Sequence, residues 1–246
     1  MRPMLARAAA LLLPLIVAAP LRAQTGAAPA GGPALEETTR IEGTVPDLTG
    51  RWLAVAEIAL PDGGGKAIPA PQLWEVRAEG GKTTLSPRDG RLPQPLSAAI
   101  AAANAEHRGW EPSIADLQRL RDEWQRLEPE GRELAAVETV VIGRDAFSQQ
   151  TKTDEKMRDA RFVIQQALSY RPGVGRPIRD AMVFGVMEPT PLGYAGNYAS
   201  VTLAAAPFPV PISLTGTFRM YRLETLPAPG VLARLFDALS GCGRAR

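Results

Sequence analysis

The chain contains one cysteine and one histidine among 246 residues. Zinc sites are built from several Cys and His ligands, and a disulfide needs two cysteines. The sequence therefore excludes a zinc site of that kind and an internal disulfide framework. The GxSxG motif of hydrolase nucleophiles is also missing, and His107 has no neighbour in the sequence that would make it catalytic. We predict no catalytic residue, no metal site and no cofactor.

An excess of charge of one sign is also lacking. The chain has 28 lysines and arginines and 26 acidic residues, which gives a formal net charge of +2. A dedicated nucleic-acid-binding protein normally has a strong basic excess on one face, so we expect no nucleic acid as a partner. The composition, 45% hydrophobic and 22% charged, suits an ordinary globular core.

Long apolar runs are absent apart from one near the N-terminus. Residues 1–23 contain Arg2 and Arg7 near their start, then an apolar run of 12 residues over 8–19, and they end at Ala23. A membrane-spanning helix needs about 20 apolar residues, so we favour a cleaved signal peptide over a retained anchor. We predict cleavage near Ala23, a periplasmic or secreted protein, and no transmembrane segment in the mature chain.

The remaining chain divides into two parts. Residues 24–46 are rich in Ala, Gly and Pro and offer few large aliphatic side chains, so we predict a flexible tether. Residues 47–246 are predicted to form a single β-rich domain with a helical insertion at about 95–130.

Alternating apolar residues and Pro/Gly-rich turns predict eight strands in this domain. The segment 161–170 fits both a strand and a helix, and we favour a strand. The predicted strands cover residues 48–60, 72–78, 82–85, 136–142, 161–170, 180–187, 197–205 and 212–223.

Two helices are predicted in the insertion and a short one near the C-terminus, at 231–239. Ser113 and Asp116 form an N-capping pair for the second helix. Apolar residues recur at helical spacing in both central helices, at Leu96, Ile100 and Ala103 and then at Ile114, Leu117, Leu120, Trp124 and Leu127.

The first strand opens with Thr49-Gly50-Arg51-Trp52. This segment resembles the Gly-x-Trp signature of lipocalins and related calycin barrels. The resemblance implies an antiparallel β-barrel of about eight strands in which Gly50 and Trp52 close the base. It also implies that an arginine of the last strand, Arg219 or Arg222, packs across the tryptophan as a cation–π partner.

The helical insertion departs from the meander of that family, and we expect the helical pair to cover a barrel mouth. A β-sandwich or an open sheet with a filled core is the alternative fold. A barrel of this size encloses room for one small ligand.

We therefore predict an exported, soluble β-barrel-like protein that binds a small apolar or amphipathic, lipophilic ligand. Trp52, Phe218 and Met220 are predicted to line the interior. Tyr194 and Tyr198 lie in or beside a loop rich in Pro and Gly, and we predict that they mark the mouth of the site.

Two other functions stay open. An envelope protein could dock on the apolar stripe of the helix over 114–127, which would make the chain an interaction or structural protein. A carboxylate-based hydrolase could use Asp145, Asp154, Glu155 or Asp159, although mixed charges at short spacing are more typical of a solvated face. Cys242 could pair between chains, but we favour an idle thiol.

Overall fold

The computed structural model of the chain describes residues 35–60, 66–131, 134–147, 157–170, 178–204 and 210–227. The described residues form nine strands and two α-helices. The strands are β1 (Glu36–Glu42), β2 (Gly50–Ala59), β3 (Ala67–Glu79), β4 (Lys82–Pro87), β5 (Leu134–Gly143), β6 (Phe162–Tyr170), β7 (Ile178–Thr190), β8 (Gly193–Ala204) and β9 (Val210–Arg222). The helices are α1 (Gln94–Ala105) and α2 (Ile114–Glu123), and a 3₁₀ turn, Trp124–Arg126, extends α2.

The nine strands form one mixed sheet that curls into a nearly closed barrel. The strand order is β1-β5-β6-β7-β8-β9-β2-β3-β4. β1 pairs with β5 in parallel, and the other neighbouring pairs are antiparallel. The predicted mainly β architecture with two inserted helices is confirmed, and Phe162–Tyr170 of the ambiguous segment 161–170 form strand β6. The prediction of a wholly antiparallel sheet is wrong, because β1 and β5 are parallel.

The strand β2 is buried on both faces, which explains why its sequence alternates so weakly. Trp52, Ala54 and Ala56 point into the barrel, whereas Leu53 and Val55 between them point outward. All five are at most 2% exposed. The outward side chains must therefore be covered by another layer.

The two helices supply that layer. Leu96 and Ile100 of α1 and Leu117 and Leu120 of α2 pack with the outward residues of β2 and β3. The predicted capping box is present, since the Asp116 amide donates to Ser113 Oγ at 3.2 Å and the Ser113 amide donates to Asp116 Oδ2 at 3.1 Å. The expectation that the helices cover a barrel mouth is wrong, because their apolar stripes pack on the outer wall.

The strand β1 corrects two sequence predictions. It lies inside the segment 24–46, predicted to be a flexible tether, so that prediction is wrong for Glu36–Glu42. It also raises the count from eight predicted strands to nine among the described residues. The sequence EETTRIE buries almost no apolar surface, and its order comes from the backbone ladder with β5. A charged edge strand of this kind lacks the apolar alternation by which strands are recognised.

Side chains bridge β1 and β4 at the seam of the barrel. The Leu85 amide donates to Thr39 Oγ1 at 2.9 Å, and Ser86 Oγ donates to Glu37 Oε2 at 2.6 Å. No backbone ladder joins these two strands in the described part of the chain. Closure of the barrel therefore depends on a few side-chain hydrogen bonds.

Several predictions fall outside the described residues and stay predictions. These are the signal peptide over 1–23, the tether over 24–34, the C-terminal helix over 231–239, Cys242, Asp154 and Glu155.

We expect Thr39→Val to lower the free energy of unfolding by about 1–3 kcal/mol, because the buried Leu85 amide loses its acceptor. Thr38→Val is the matched control. Thr38 lies on the same strand and is exposed, so this change should stay within about 0.5 kcal/mol of the wild type. Urea unfolding measures both, and equal effects of the two changes would contradict a closing role for Thr39.

The chain leaves β1 through a contact with Asp145. The Asp145 carboxylate accepts hydrogen bonds from the Thr44 amide at 2.8 and 3.1 Å and from the Thr44 hydroxyl at 2.8 Å. These bonds hold the pKa of Asp145 below its ordinary value of 3.8. The carboxylate predicted as a possible hydrolase group thus anchors the end of a strand.

This contact predicts an acid-dependent loss of stability. A carboxyl whose pKa is lowered by folding stabilises the fold fully above the unfolded value and loses that contribution as the pH falls through the folded value. Between about pH 5 and about pH 2.5, the urea midpoint should therefore fall less in Asp145→Asn than in the wild type. Asp159→Asn removes an exposed carboxyl and should keep the wild-type dependence. An unchanged slope in Asp145→Asn would argue against the anchor.

Candidate functional site

One end of the barrel is closed by Trp52 and Arg222. Trp52 Nε1 donates to the Leu48 carbonyl at 2.7 Å, and the Arg222 guanidinium carbon lies 5.7 Å from the centre of the Trp52 rings. Arg222 also donates to the Thr49 carbonyl. This contact combines a cation–π interaction with a hydrogen bond to the chain that enters β2.

Strand register decides between the two predicted arginines. Arg222 pairs directly with Trp52, so both side chains lie on the inner face. Arg219 pairs with Val55 on the outer face and forms an ion pair with Glu111. The placement of Arg219 at the barrel closure is therefore wrong.

Gly50 fits the same closure for a steric reason. Its φ of +128° lies in the region that favours glycine, and a β-carbon would lie 2.7 Å from Glu224 Oε2. Glu224 also accepts two hydrogen bonds from Arg51, the residue that follows Gly50. The donors are the Arg51 amide at 3.0 Å and Arg51 Nε at 2.7 Å.

Aromatic rings fill the half of the barrel next to this end, and we call this group the aromatic plug. Trp52 stacks on Tyr194 at 6.0 Å, and Phe162 meets Tyr194 edge-on at 5.4 Å. Phe184 contacts three rings, with centroids 4.8 to 5.2 Å away. The plug consists of Trp52, Trp74, Phe162, Phe184, Tyr194, Tyr198 and Phe218, with Met220 packed in the same core.

The other half of the barrel holds a cavity of about 370 Å³, which we call the chamber. Its walls combine aliphatic residues, hydroxyl and amide groups, two tyrosines and three charged side chains. They are Ile58, Ala70, Pro71, Gln72, Leu73, Arg88, Gly90, Leu92, Glu130, Tyr170, Asp180, Met182, Tyr198, Ser200, Thr202 and Leu214.

The chamber extends through the barrel wall at β3. β4 ends at Pro87 opposite Trp74, so the first half of β3 has no β4 partner. The connections that follow β4 and α2 bring Arg88 and Glu130 to this opening. The chamber therefore has an inner part between the strands and an outer part beside the helical layer.

Two residues of the chamber wall have a buried polar atom without a hydrogen-bond partner. These atoms are the acceptor Asp180 Oδ1 and the donor Arg88 Nε. Gln166 Oε1, on the inward face of β6 but outside the lining of the chamber, is also buried without a donor. Gln166 is 2% exposed, and its amide nitrogen donates to Thr139 Oγ1 at 3.4 Å. A buried acceptor without a donor is costly, and such a group frequently marks a place where something else binds.

Tyr198 stands where the aromatic plug meets the chamber. Burial raises the pKa of its phenol above the ordinary value of 10.0, a hydrogen bond with Ser200 lowers it, and the nearby Asp180 carboxylate raises it further. The phenol is therefore neutral over the physiological range and can donate a hydrogen bond.

The predicted ligand residues divide between these two halves. Trp52, Tyr194, Phe218 and Met220 pack in the filled half and do not line the chamber, whereas Tyr198 does. Asp180, Ser200 and Thr202 were not among the predicted site residues. Ser200 and Thr202 share one face of β8 by period-two spacing, but polar residues so spaced are more typical of a solvated surface. Asp180 lies on β7, among residues that show no such polar pattern.

A second cavity of about 290 Å³ lies beneath the seam of β1 and β4. It is lined mainly by aliphatic and threonine side chains, among them Ile41, Val45, Leu48, Val76 and Val141. None of the buried side-chain atoms without a partner belongs to its lining. The chamber is therefore the better candidate site.

Other candidates from the sequence have structural roles or none. His107 is exposed, with a φ of +50°, and its carbonyl accepts from the Ala67 amide at 3.2 Å. The described residues contain no group of three His, Cys, Asp or Glu side chains that could hold a metal ion. They also contain no helix long and apolar enough to cross a membrane.

Comparison with known proteins finds no matching family model, no matching curated protein and no matching solved structure. The lipocalin resemblance is therefore supported at the level of a β-barrel and no further.

We expect Arg222→Met to lower the free energy of unfolding by about 1–3 kcal/mol, since it removes the cation–π contact and the hydrogen bond to Thr49. Arg219→Met removes the same charge from an exposed ion pair on the same strand, so about 0.5 kcal/mol or less is expected. Urea unfolding followed by tryptophan fluorescence measures both. A larger effect of Arg219→Met would contradict the assignment of Arg222 to the closure.

Proposed function

We propose that this protein binds a small amphipathic ligand in the chamber. The observation that carries the proposal is the cavity of about 370 Å³ in the open half of the barrel. Its volume falls within the range of small-molecule sites, about 300–1,000 Å³, and its lining mixes apolar walls with a few polar groups as such sites do.

The polar groups favour an amphipathic ligand over a purely apolar one. An apolar ligand would cover Asp180 and the Tyr198–Ser200 pair without offering them a hydrogen-bond partner. Burying a polar group without a partner costs free energy, whereas a ligand with its own polar head avoids that cost. The aliphatic residues Ile58, Ala70 and Leu214 offer the complementary surface for an apolar body.

The proposal also includes export to the periplasm or the medium. Its support is the basic start, short apolar run and Ala23 of residues 1–23. An exported carrier of a small amphipathic molecule is a function that accounts for both the N-terminal segment and the chamber.

The alternative of an envelope partner on the helix over 114–127 loses its motivation. Leu117, Leu120 and Trp124 are fully buried on the outer wall of the barrel, so the stripe is covered by the protein's own core. No observation in the described residues favours the carboxylate-based hydrolase.

The chamber predicts how a bulky substitution affects binding. Full-length protein should bind at least one of hexan-1-ol, hexylamine and hexanoate in calorimetric titration. Thr202→Phe places a ring in the chamber and should weaken that binding by about tenfold or more. A bound ligand should also shift tryptophan emission, since Trp74 Nε1 donates at 3.2 Å to Gln72 of the chamber wall.

Val201→Phe is the matched control, because Val201 is the neighbouring residue on the opposite face of β8 and does not line the chamber. It should bind the probes as the wild type does. The proposal fails if none of the three probes binds, or if Thr202→Phe binds them as tightly as the wild type.

A further inference from the structure

Asp180 lines the chamber and has no charged partner among the described residues. It lies on β7 between Leu168 of β6 and Thr202 of β8, and it is partly exposed to the cavity. Among the described residues it forms no ion pair, and its Oδ1 accepts no hydrogen bond. A charge held in such a place favours a ligand of opposite sign.

The nearest cation of the chamber does not neutralise Asp180. The Arg88 guanidinium belongs to the outer part, where its Nη2 lies 3.5 Å from the Trp124 carbonyl at the end of α2. Arg88 and Asp180 line the same chamber but do not come within ion-pair distance of each other. The positive and negative ends of the chamber are therefore separate.

Two tyrosines of the neighbouring strands accompany the carboxylate. Tyr170 lies two residues beyond Leu168, the direct partner of Asp180, and Tyr198 is close enough for the Asp180 charge to act on its phenol. Both tyrosines line the chamber. Aromatic faces beside a carboxylate form the environment that binds organic ammonium groups, through cation–π attraction added to the ion pair.

A metal ion fits this place less well than an organic cation. Hard cations take six or more oxygen ligands, commonly from several carboxylates and carbonyls. The described residues hold no cluster of three acidic, His or Cys side chains. The aliphatic walls at Ile58, Ala70 and Leu214 also offer a surface to a carbon chain and none to a hydrated ion.

We propose that the ligand of the chamber is an organic amine, whose ammonium group pairs with Asp180 between Tyr170 and Tyr198 and whose apolar body lies against the aliphatic wall. This inference rests on the proposed function and specifies the class of ligand.

Three probes with the same six-carbon body and different heads test it on the full-length protein. In calorimetric titration at neutral pH, hexylamine should bind about tenfold more tightly than hexan-1-ol, and hexanoate should bind most weakly. This comparison needs no variant, so it remains decisive even if a substitution of Asp180 impairs folding.

Asp180→Asn then tests the residue. It keeps the size of the side chain and removes its charge, so hexylamine affinity should fall about tenfold to the level of hexan-1-ol, whose own affinity should not change. Glu138→Gln removes one negative charge from the outer face of β5 and should keep the preference for the amine. Circular dichroism checks that each variant is folded.

The outcomes separate the two proposals. If hexan-1-ol binds as tightly as hexylamine, or hexanoate binds best, the amine proposal is overturned while ligand binding in the chamber stands. If Asp180→Asn keeps the full preference for hexylamine, Asp180 is not its partner and the inference is equally overturned. If none of the probes binds, ligand binding itself fails and the inference fails with it.

Discussion

The packing around Phe184 determines where this barrel is solid and where it is open. Phe184 contacts the rings of Trp74, Tyr198 and Phe218, which lie on three other strands, so it connects β7 with β3, β8 and β9 across the inside of the barrel. Rings of this size fill the cross-section of a small barrel completely. The aromatic plug therefore forms the floor of the chamber, and a loss of packing there would change the depth of the site as well as the stability of the fold.

The helical layer also affects the chamber. β2 and β3 are covered on the outside by α1 and α2, and the connections to and from these helices run past the free half of β3. That course brings Arg88 and Glu130 to the opening of the chamber. The helical insertion therefore contributes residues to the opening of the chamber in the barrel wall. Its apolar stripes pack on the outer wall and do not cover the ends of the barrel.

Much of the fold follows from local patterns in the sequence, and less of the site does. The helices over Gln94–Ala105 and Ile114–Glu123 were predictable because apolar spacing and the Ser113–Asp116 pair are local signals. β1 was not, since its partner supplies a backbone ladder that leaves no apolar pattern. The choice between Arg219 and Arg222 was within reach of the sequence, because alternation on β9 puts Arg222 on the face of Phe218 and Met220 and puts Arg219 on the other face. The inward direction of Asp180 could not be read from its neighbours, because both faces of β7 carry apolar residues there.

The pairing of β2 with β9 has a consequence for how the chain folds. Within the single sheet, the strands β2-β3-β4 and the strands β5 to β9 are each paired in chain order, so both parts of the sheet can form from neighbouring segments as they are synthesised. The ladder between Trp52 and Arg222 instead closes a loop over most of the domain, and contacts of such separation form late because the entropy of loop closure must first be overcome. Until β9 is made, the indole of Trp52 lacks its guanidinium partner, and β2 is paired on the side of β3 alone. A chain that has not yet reached β9 therefore has an unpaired edge on β2, and an unpaired edge is a place where another strand can pair.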